Sequence, residues 1–400
     1  TGGPAGNRES STGKARPGGS VAGRILIALK LSGRAPFRAK IDCRFLFGAL
    51  GAAFALGACA KKIDGEALYA ADSCRQVTIV DQDTGEAVVG AEDLVFDAAA
   101  GRVIISAYDR RLVEREARKR AHALAQGGVY AVPIDALKNG ATALTLQSIV
   151  ARESVAGGLR PHGIAFDETR REIAFVNRSY QQINGKWRMT PRIERTGADG
   201  AVFIGDGGRP RCSANDVALD GDRTYVSFDH AACGWRGGLE DIANSRASGV
   251  DLAGFGAVFD GARHANGLVR TNGAALALAA TRDSAVFVLQ DEGGAYAVEK
   301  KISLPGAPDN LTVSRNGSIV AALYPSLAAI GAQRRLGLGR SASRIVRIDP
   351  ETGETTTLFD DPSAKLFSAA SAAIEEDGLL IAGSALDRGV LVCSGSAAAP

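Results

Sequence analysis

Five short phrases in this 400-residue chain place chemically able side chains in the same setting. "AEDLVFD" sets Glu92 and Asp93 ahead of Leu94 and Phe96, and "SANDVALD" sets Asn215 and Asp216 ahead of Val217 and Leu219. "HANGLVRT" carries Asn266 before Leu268, and "LPGAPDNLTVSRNG" carries Asp309 and Asn310 before Leu311 and Val313. "RPHGIAFD" puts His162 and Gly163 before Ile164 and Phe166. A sixth copy, "SAASAAIEEDG", has Ala370 and Ser371 where the polar pair belongs. Carboxylates mixed with amide carbonyls, with no competing cysteine or paired histidine, are hard oxygen donors. They suit Ca²⁺, which takes about six to eight such ligands. Clustered without a cation, these carboxylates would repel one another severely.

The elements that must position these residues follow from the spacing. Each phrase is a polar pair at the head of an apolar alternation, the pattern of a strand. Measured at the second residue of each pair, the copies fall at Asp93, Gly163, Asp216, Gly267, Asn310 and Ser371, at intervals of 70, 53, 51, 43 and 61 residues. Each interval has room for about four short strands, the content of one propeller blade. The predicted fold is therefore all-β, a six-bladed β-propeller. The innermost strand of each blade starts near the central channel, so the polar pairs converge on the axis. Helical pattern is scarce. Residues 109–126 read as a solvated, charged helix or insertion with His122 on its surface, and 238–249 read as a weaker, polar one.

Composition bounds the rest. The chain is 46% hydrophobic, enough for a sizeable core. Residues 1–59 hold nine Lys/Arg against two Asp/Glu, whereas the remainder holds 38 against 42. A net-acidic body argues against nucleic acid and favours a cation site. Residues 1–33, rich in Gly, Ser and Pro, read as a disordered N-terminal extension, and 34–59 as a signal or lipoprotein-type leader. Arg34, Arg38, Lys40 and Arg44 precede an uncharged run of 14 residues, 45–58, too short for a comfortable span. It ends in Leu56-Gly57-Ala58-Cys59, which resembles a bacterial lipoprotein box; plain signal cleavage and an uncleaved apolar anchor helix are the alternatives. The expectation is an exported protein, periplasmic or membrane-anchored, that touches the membrane only through this end, with a single propeller domain over 60–400. Outside the leader remain Cys74, Cys212, Cys233 and Cys393, an even number in an oxidising compartment. A bridge between Cys74 and Cys393 would tie the first strand to the last. Cys212 and Cys233 flank a strand pair and either bridge or stay as buried thiols.

The ordered set "EDL", "PHGI", "NDV", "ANG" and "DN" resembles the paraoxonase/arylesterase family over roughly residues 74–393. These are calcium-dependent six-bladed propellers that hydrolyse lactones and aryl esters. The resemblance implies a catalytic Ca²⁺ at the tunnel bottom on Glu92, Asn215, Asn266, Asp309 and Asn310. It also implies a second, structural Ca²⁺ on Asp93, Asp216 and the backbone carbonyl of Ile164. Cys74 and Cys393 match the disulfide that staples the family's termini. His162 matches the histidine that activates water, alone or with Glu92. The family's second histidine is replaced by Arg178 in "FVNRS", and an always-charged guanidinium cannot relay protons. His230, in "SFDHAA", and His264, beside Asn266, are expected near the mouth in structural roles. The implied substrate is a small lactone or ester. A gluconolactonase-like sugar lactonase and a non-catalytic, calcium-stabilised binding or scaffold lipoprotein are the alternatives.

Overall fold

The computed structural model describes residues 66–200, 203–206, 208–271 and 275–395. The segments read as extension and leader, 1–33 and 34–59, lie outside the described residues.

The six phrases form six strands: Ala91–Asp97, Pro161–Asp167, Ala214–Asp220, Ala265–Arg270, Ala307–Val313 and Ala370–Glu376. Each packs on the next, and the last packs on the first, so the strands close a ring. Each also begins a separate sheet, and the molecule is the six-bladed β-propeller that the spacing predicts. The blades beginning at Pro161, Ala214, Ala265 and Ala307 are four-stranded. The blade beginning at Ala91 keeps three strands, because Ala143–Leu146 runs parallel to Cys74–Asp81 instead. The last blade is completed by the start of the chain. Cys74–Asp81 pairs antiparallel with Val390–Ser394, Cys74 stands opposite Cys393, and the two are disulfide-bonded with Cα atoms 3.9 Å apart. Cys212 and Cys233, left open by the sequence, also form a disulfide.

How an apolar strand delivers polar side chains to the axis is visible in the ladders. All six inner strands shift register where the pair sits: between Ala91 and Asp93, Pro161 and Ile164, Ala214 and Val217, Ala265 and Leu268, Pro308 and Leu311, and Ala370 and Ala372. A bulge re-aims side chains at one point while the rest of the strand stays in register. Close approach between blades then demands glycine at two of these points. A Cβ on Gly163 would collide with Asp216 and lie 2.7 Å from the carbonyl oxygen of Asn215. A Cβ on Gly267 would lie 2.6 Å from the Cα of Asn310.

Hydroxyl groups tie neighbouring blades at the same level. Ser227 Oγ donates to the carbonyl of Asn266 at 2.5 Å, Thr281 Oγ1 to that of Pro308 at 2.7 Å, and Ser106 to that of His162. Ser371 Oγ donates to the carbonyl of Glu92 at 2.7 Å. The sixth copy of the phrase thus supplies a fastener, not an oxygen pair.

Three helices occupy the same connection, from second to third strand, in alternate blades. They are Arg110–Lys119, Trp235–Ile242 and Leu327–Leu336. Asp109 caps the first by accepting from Leu112 N at 2.8 Å, and Arg120, in the left-handed region at φ 54°, ends it. The solvated reading of this insertion is corrected in part. Val113 is 1% exposed, Arg110 lines the central cavity and Glu114 pairs inward, although His122 is exposed as expected. The second helix begins at Trp235 and is not purely polar, since Trp235, Leu239 and Ile242 all stand in solvent. No described helix is long and apolar enough to cross a membrane.

Candidate active site

A cavity of about 510 Å³ opens over the starts of the inner strands. Glu92, His162, Asn215, Asn266 and Asp309, from five different blades, form its floor. Asn310 stands directly behind, with its Nδ2 donating to the Glu92 carbonyl at 2.9 Å. The bulges therefore bring the predicted oxygen donors together.

The floor is short of positive charge. Asn215 Oδ1 and Asn310 Oδ1 are buried and have no hydrogen-bond partner. Leaving a buried polar atom unpaired costs about 1–3 kcal/mol, so two together call for an explanation. Glu92 is buried, and His162 Nδ1 lies 3.6 Å from its Oε1. Asp309 accepts from Asn266 Nδ2 and from the Tyr324 hydroxyl. Burial and then the Glu92 charge still push its carboxyl up to about 8. Two orphaned amide oxygens beside under-compensated carboxylates fit a hard divalent cation, so Glu92, Asn215, Asn266, Asp309 and Asn310 could hold Ca²⁺.

Asp93 and Asp216 form a second buried pair. Asp93 accepts from Leu94 N and, across blades, from Ile164 N, both at 2.9 Å. Asp216 accepts from Val217 N and, across blades, from Leu268 N, both at 2.7 Å. Burial, then the neighbouring Asp216 charge, raises the Asp93 carboxyl well above the usual range. Burial raises Asp216 to about 7 in spite of its amide bonds. Two carboxylates held in this way fit a cation between them. The group of Ile164 bound to Asp93 is its amide, and the ligating role of its carbonyl rests on the resemblance alone.

His162 is buried, and its Nδ1 has no hydrogen-bond partner. Burial, then Arg178, Arg110 and Arg334, hold its pKa well below the usual value, so the imidazole is neutral. These arginines belong to the roof, which the sequence pattern did not reveal. Arg334 Nη2 is 2.7 Å, and Arg110 Nε 3.4 Å, from Glu114 Oε1. Against burial, Arg334 and Arg110 draw the Glu114 carboxyl down to about 2. Arg178, where the resemblance expects a histidine, is fully buried.

The predicted His230 and His264 do reach the mouth, where they join Asp229 and Asp241. His230 Nδ1 is 2.6 Å from Asp229 Oδ1, and its Nε2 is 3.2 Å from Asp241 Oδ1. His264 Nδ1 is 3.3 Å from the same Asp241 oxygen. Burial opposes protonation, but bonds to Asp229 and Asp241 raise His230 to about 10. Ligand atoms of His230, Asp241 and His264 lie within 4.8 Å of one another, the spread of a metal triad. Arg282 Nε, 2.9 Å from Asp241 Oδ1, already supplies positive charge there. The only sequence signals for this cluster were the "DH" after the second strand of its blade and the histidine just before "ANG".

No family model matches the sequence, and no curated protein matches it significantly. Among solved structures, the chain is similar to a candidate gluconolactonase at 15% identity and TM-score 0.48, over 81% of this chain and 92% of that one. A gluconolactonase from Xanthomonas campestris matches at 15% identity and TM-score 0.48, over 84% and 99%. A catalytically inactive virginiamycin B lyase from Staphylococcus aureus matches at 12% identity and TM-score 0.41, over 80% and 98%. Likeness at this level assigns no activity.

Proposed function

We propose that this protein is a calcium-dependent hydrolase of lactones and aryl esters, of the paraoxonase/arylesterase type. One observation carries the reading. Buried, unpartnered oxygens of Asn215 and Asn310 meet Glu92, Asn266 and Asp309 beneath a cavity that also holds a neutral histidine. Calcium bound there supplies Lewis acidity toward a carbonyl oxygen and stabilises the negative charge that develops on it. His162, neutral, accepts the proton of the attacking water. Glu92 Oε1, 3.6 Å from Nδ1, stabilises the imidazolium that forms. Arg178 cannot take a proton onward, so proton movement is confined to His162 and Glu92. Asn266 and Tyr324 orient Asp309. Asp93 and Asp216 serve a second, structural calcium that joins blades. Two disulfides suit an oxidising compartment and the exported reading.

The test is hydrolysis of phenyl acetate and a γ-lactone by purified protein, with and without chelator, beside calcium calorimetry. The expected result is two binding events of unequal affinity and a rate that disappears with chelator. Absence of calcium uptake overturns the proposal. A second reading, hydrolysis of sugar lactones, is favoured by the polar wall formed by Asp229, His230, Asp241 and Arg282, which offers partners for ring hydroxyls. An aldonolactone turned over faster than phenyl acetate would select it.

A further inference from the structure

The roof carries more positive charge than its own carboxylate answers. Arg110 starts the helix Arg110–Lys119, Arg334 lies in the last turn of Leu327–Leu336, and Arg178 follows the strand Glu172–Asn177. Arg110 and Arg334 line the cavity and share a single partner, Glu114. Arg178 is 3% exposed, makes no ion pair among the described residues, and has a buried Nε without a partner. The Nε of Arg334 is likewise buried and unpartnered. The backbone N of Arg178 donates to the Arg160 carbonyl at 2.9 Å, and Asn177 pairs with Pro161, which sets Arg178 beside the start of the strand that carries His162. Burying a guanidinium without a counter-charge is costly, and planar forks of this kind match oxygen anions bidentately.

We infer that Arg110, Arg178 and Arg334 form an anion-recognition site for a substrate that bears a carboxylate, so that the enzyme's preferred lactone or ester is acidic. This rests on the hydrolase reading for the word substrate, but the binding site stands on the arginines themselves. The cavity is shared with the floor, so a carboxylate held at the roof leaves the reacting carbonyl of a small molecule above Glu92, Asn215 and His162. A roof built only to join helices would need Arg334 and Glu114, not a third, unpaired guanidinium.

The test uses the calcium-loaded protein and two readouts. One compares kcat/KM for a γ-butyrolactone bearing a ring carboxylate with that for its neutral carboxamide. The other is calorimetric binding of glutarate, with inorganic phosphate as a second arm. Preference for the acid and saturable glutarate binding are expected. Both should fall about 10- to 100-fold in Arg178→Gln and in Arg334→Gln, the range of one charged hydrogen-bonding partner, with partial recovery in Arg178→Lys. If Arg178→Gln does not fold, Arg334→Gln, nearer solvent, carries the comparison. Equal turnover of acid and amide with no glutarate binding overturns the inference and leaves the hydrolase reading intact. Arginine-dependent glutarate binding without turnover of either lactone keeps the site and removes the hydrolase reading. Phosphate bound more tightly than glutarate overturns the carboxylate assignment.

Discussion

The floor of the cavity is made of Glu92, Asn215, Asn266 and Asp309, each standing at a bulge on the inner strand of its own blade. The roof is made of Arg110 and Arg334, on helices inserted between the second and third strands of two blades, with Arg178 buried just after the second strand of the blade that carries His162. The floor is held from all sides by the sheet ladders and by hydroxyl fasteners such as Ser227 and Thr281. The helices are joined to one another by the ion pairs of Glu114. On the proposed reading, a floor of oxygen donors beneath a cationic roof separates two tasks: the floor would fix what reaction is possible, and the roof would select what reacts.

The largest effects should come from the floor. Chelation, or Asp309→Asn with its lost charge, should abolish turnover of every substrate, acidic or neutral, and calorimetry should show the matching loss of calcium. An unaffected rate and calcium uptake in Asp309→Asn would erase the distinction between floor and roof. His162→Gln should lower the rate by about 10²–10⁴-fold with both calcium ions retained, the usual contribution of a general base. Near wild-type turnover in that variant would move the base to Glu92 or to another group.

Below these lie effects on stability that leave the division of labour unchanged. Reducing the Cys74–Cys393 bond, which spans 319 residues, should lower unfolding free energy by roughly 3–5 kcal/mol in denaturant titrations. A midpoint that does not move would mean that blade packing alone closes the ring. The smallest effect is at the mouth. His230 is raised to about 10 in the fold, from an ordinary value near 6.5 when unfolded. Its contribution is therefore complete below about pH 6.5 and is lost as pH rises through about 10. The melting temperature should decline across that window, and His230→Gln should flatten the decline. Identical slopes would show that the Asp229–His230–Asp241 contacts do not stabilise the fold.

The same contrast explains what could be read from the sequence. The floor was legible because it repeats. Glu92-Asp93, Asn215-Asp216 and Asp309-Asn310 stand in one context, and a spacing near 50 residues implies blades. The terminal cysteines were legible because a ring has to close. The roof does not repeat. Arg110 reads as one charge among many in "DRRLVEREARKR", and its neighbour Glu114 finds its partner Arg334 220 residues away. The helix of Arg334, Leu327–Leu336, carries only a capping Ser326 and a terminal Gly337 as local signals, and it went unread. The parallel pairing of Ala143–Leu146 with Cys74–Asp81 was hidden for the same reason: a strand's partner is chosen by geometry that the strand does not encode.

The bond between Cys74 and Cys393 also decides how the molecule bears mechanical load. Tension applied to the two ends enters and leaves across Cα atoms 3.9 Å apart, so the covalent bridge carries the force and the ring between them feels almost none. Held in a single-molecule trap by handles next to Cys74 and Cys393, the oxidised protein should lengthen hardly at all before the tether breaks. Once a reductant cuts the bridge, the same pull peels the last blade and can release on the order of 1,100 Å of chain, taking about 3.6 Å per residue. The propeller is thus a closed shackle while oxidised and a coil of rope once reduced.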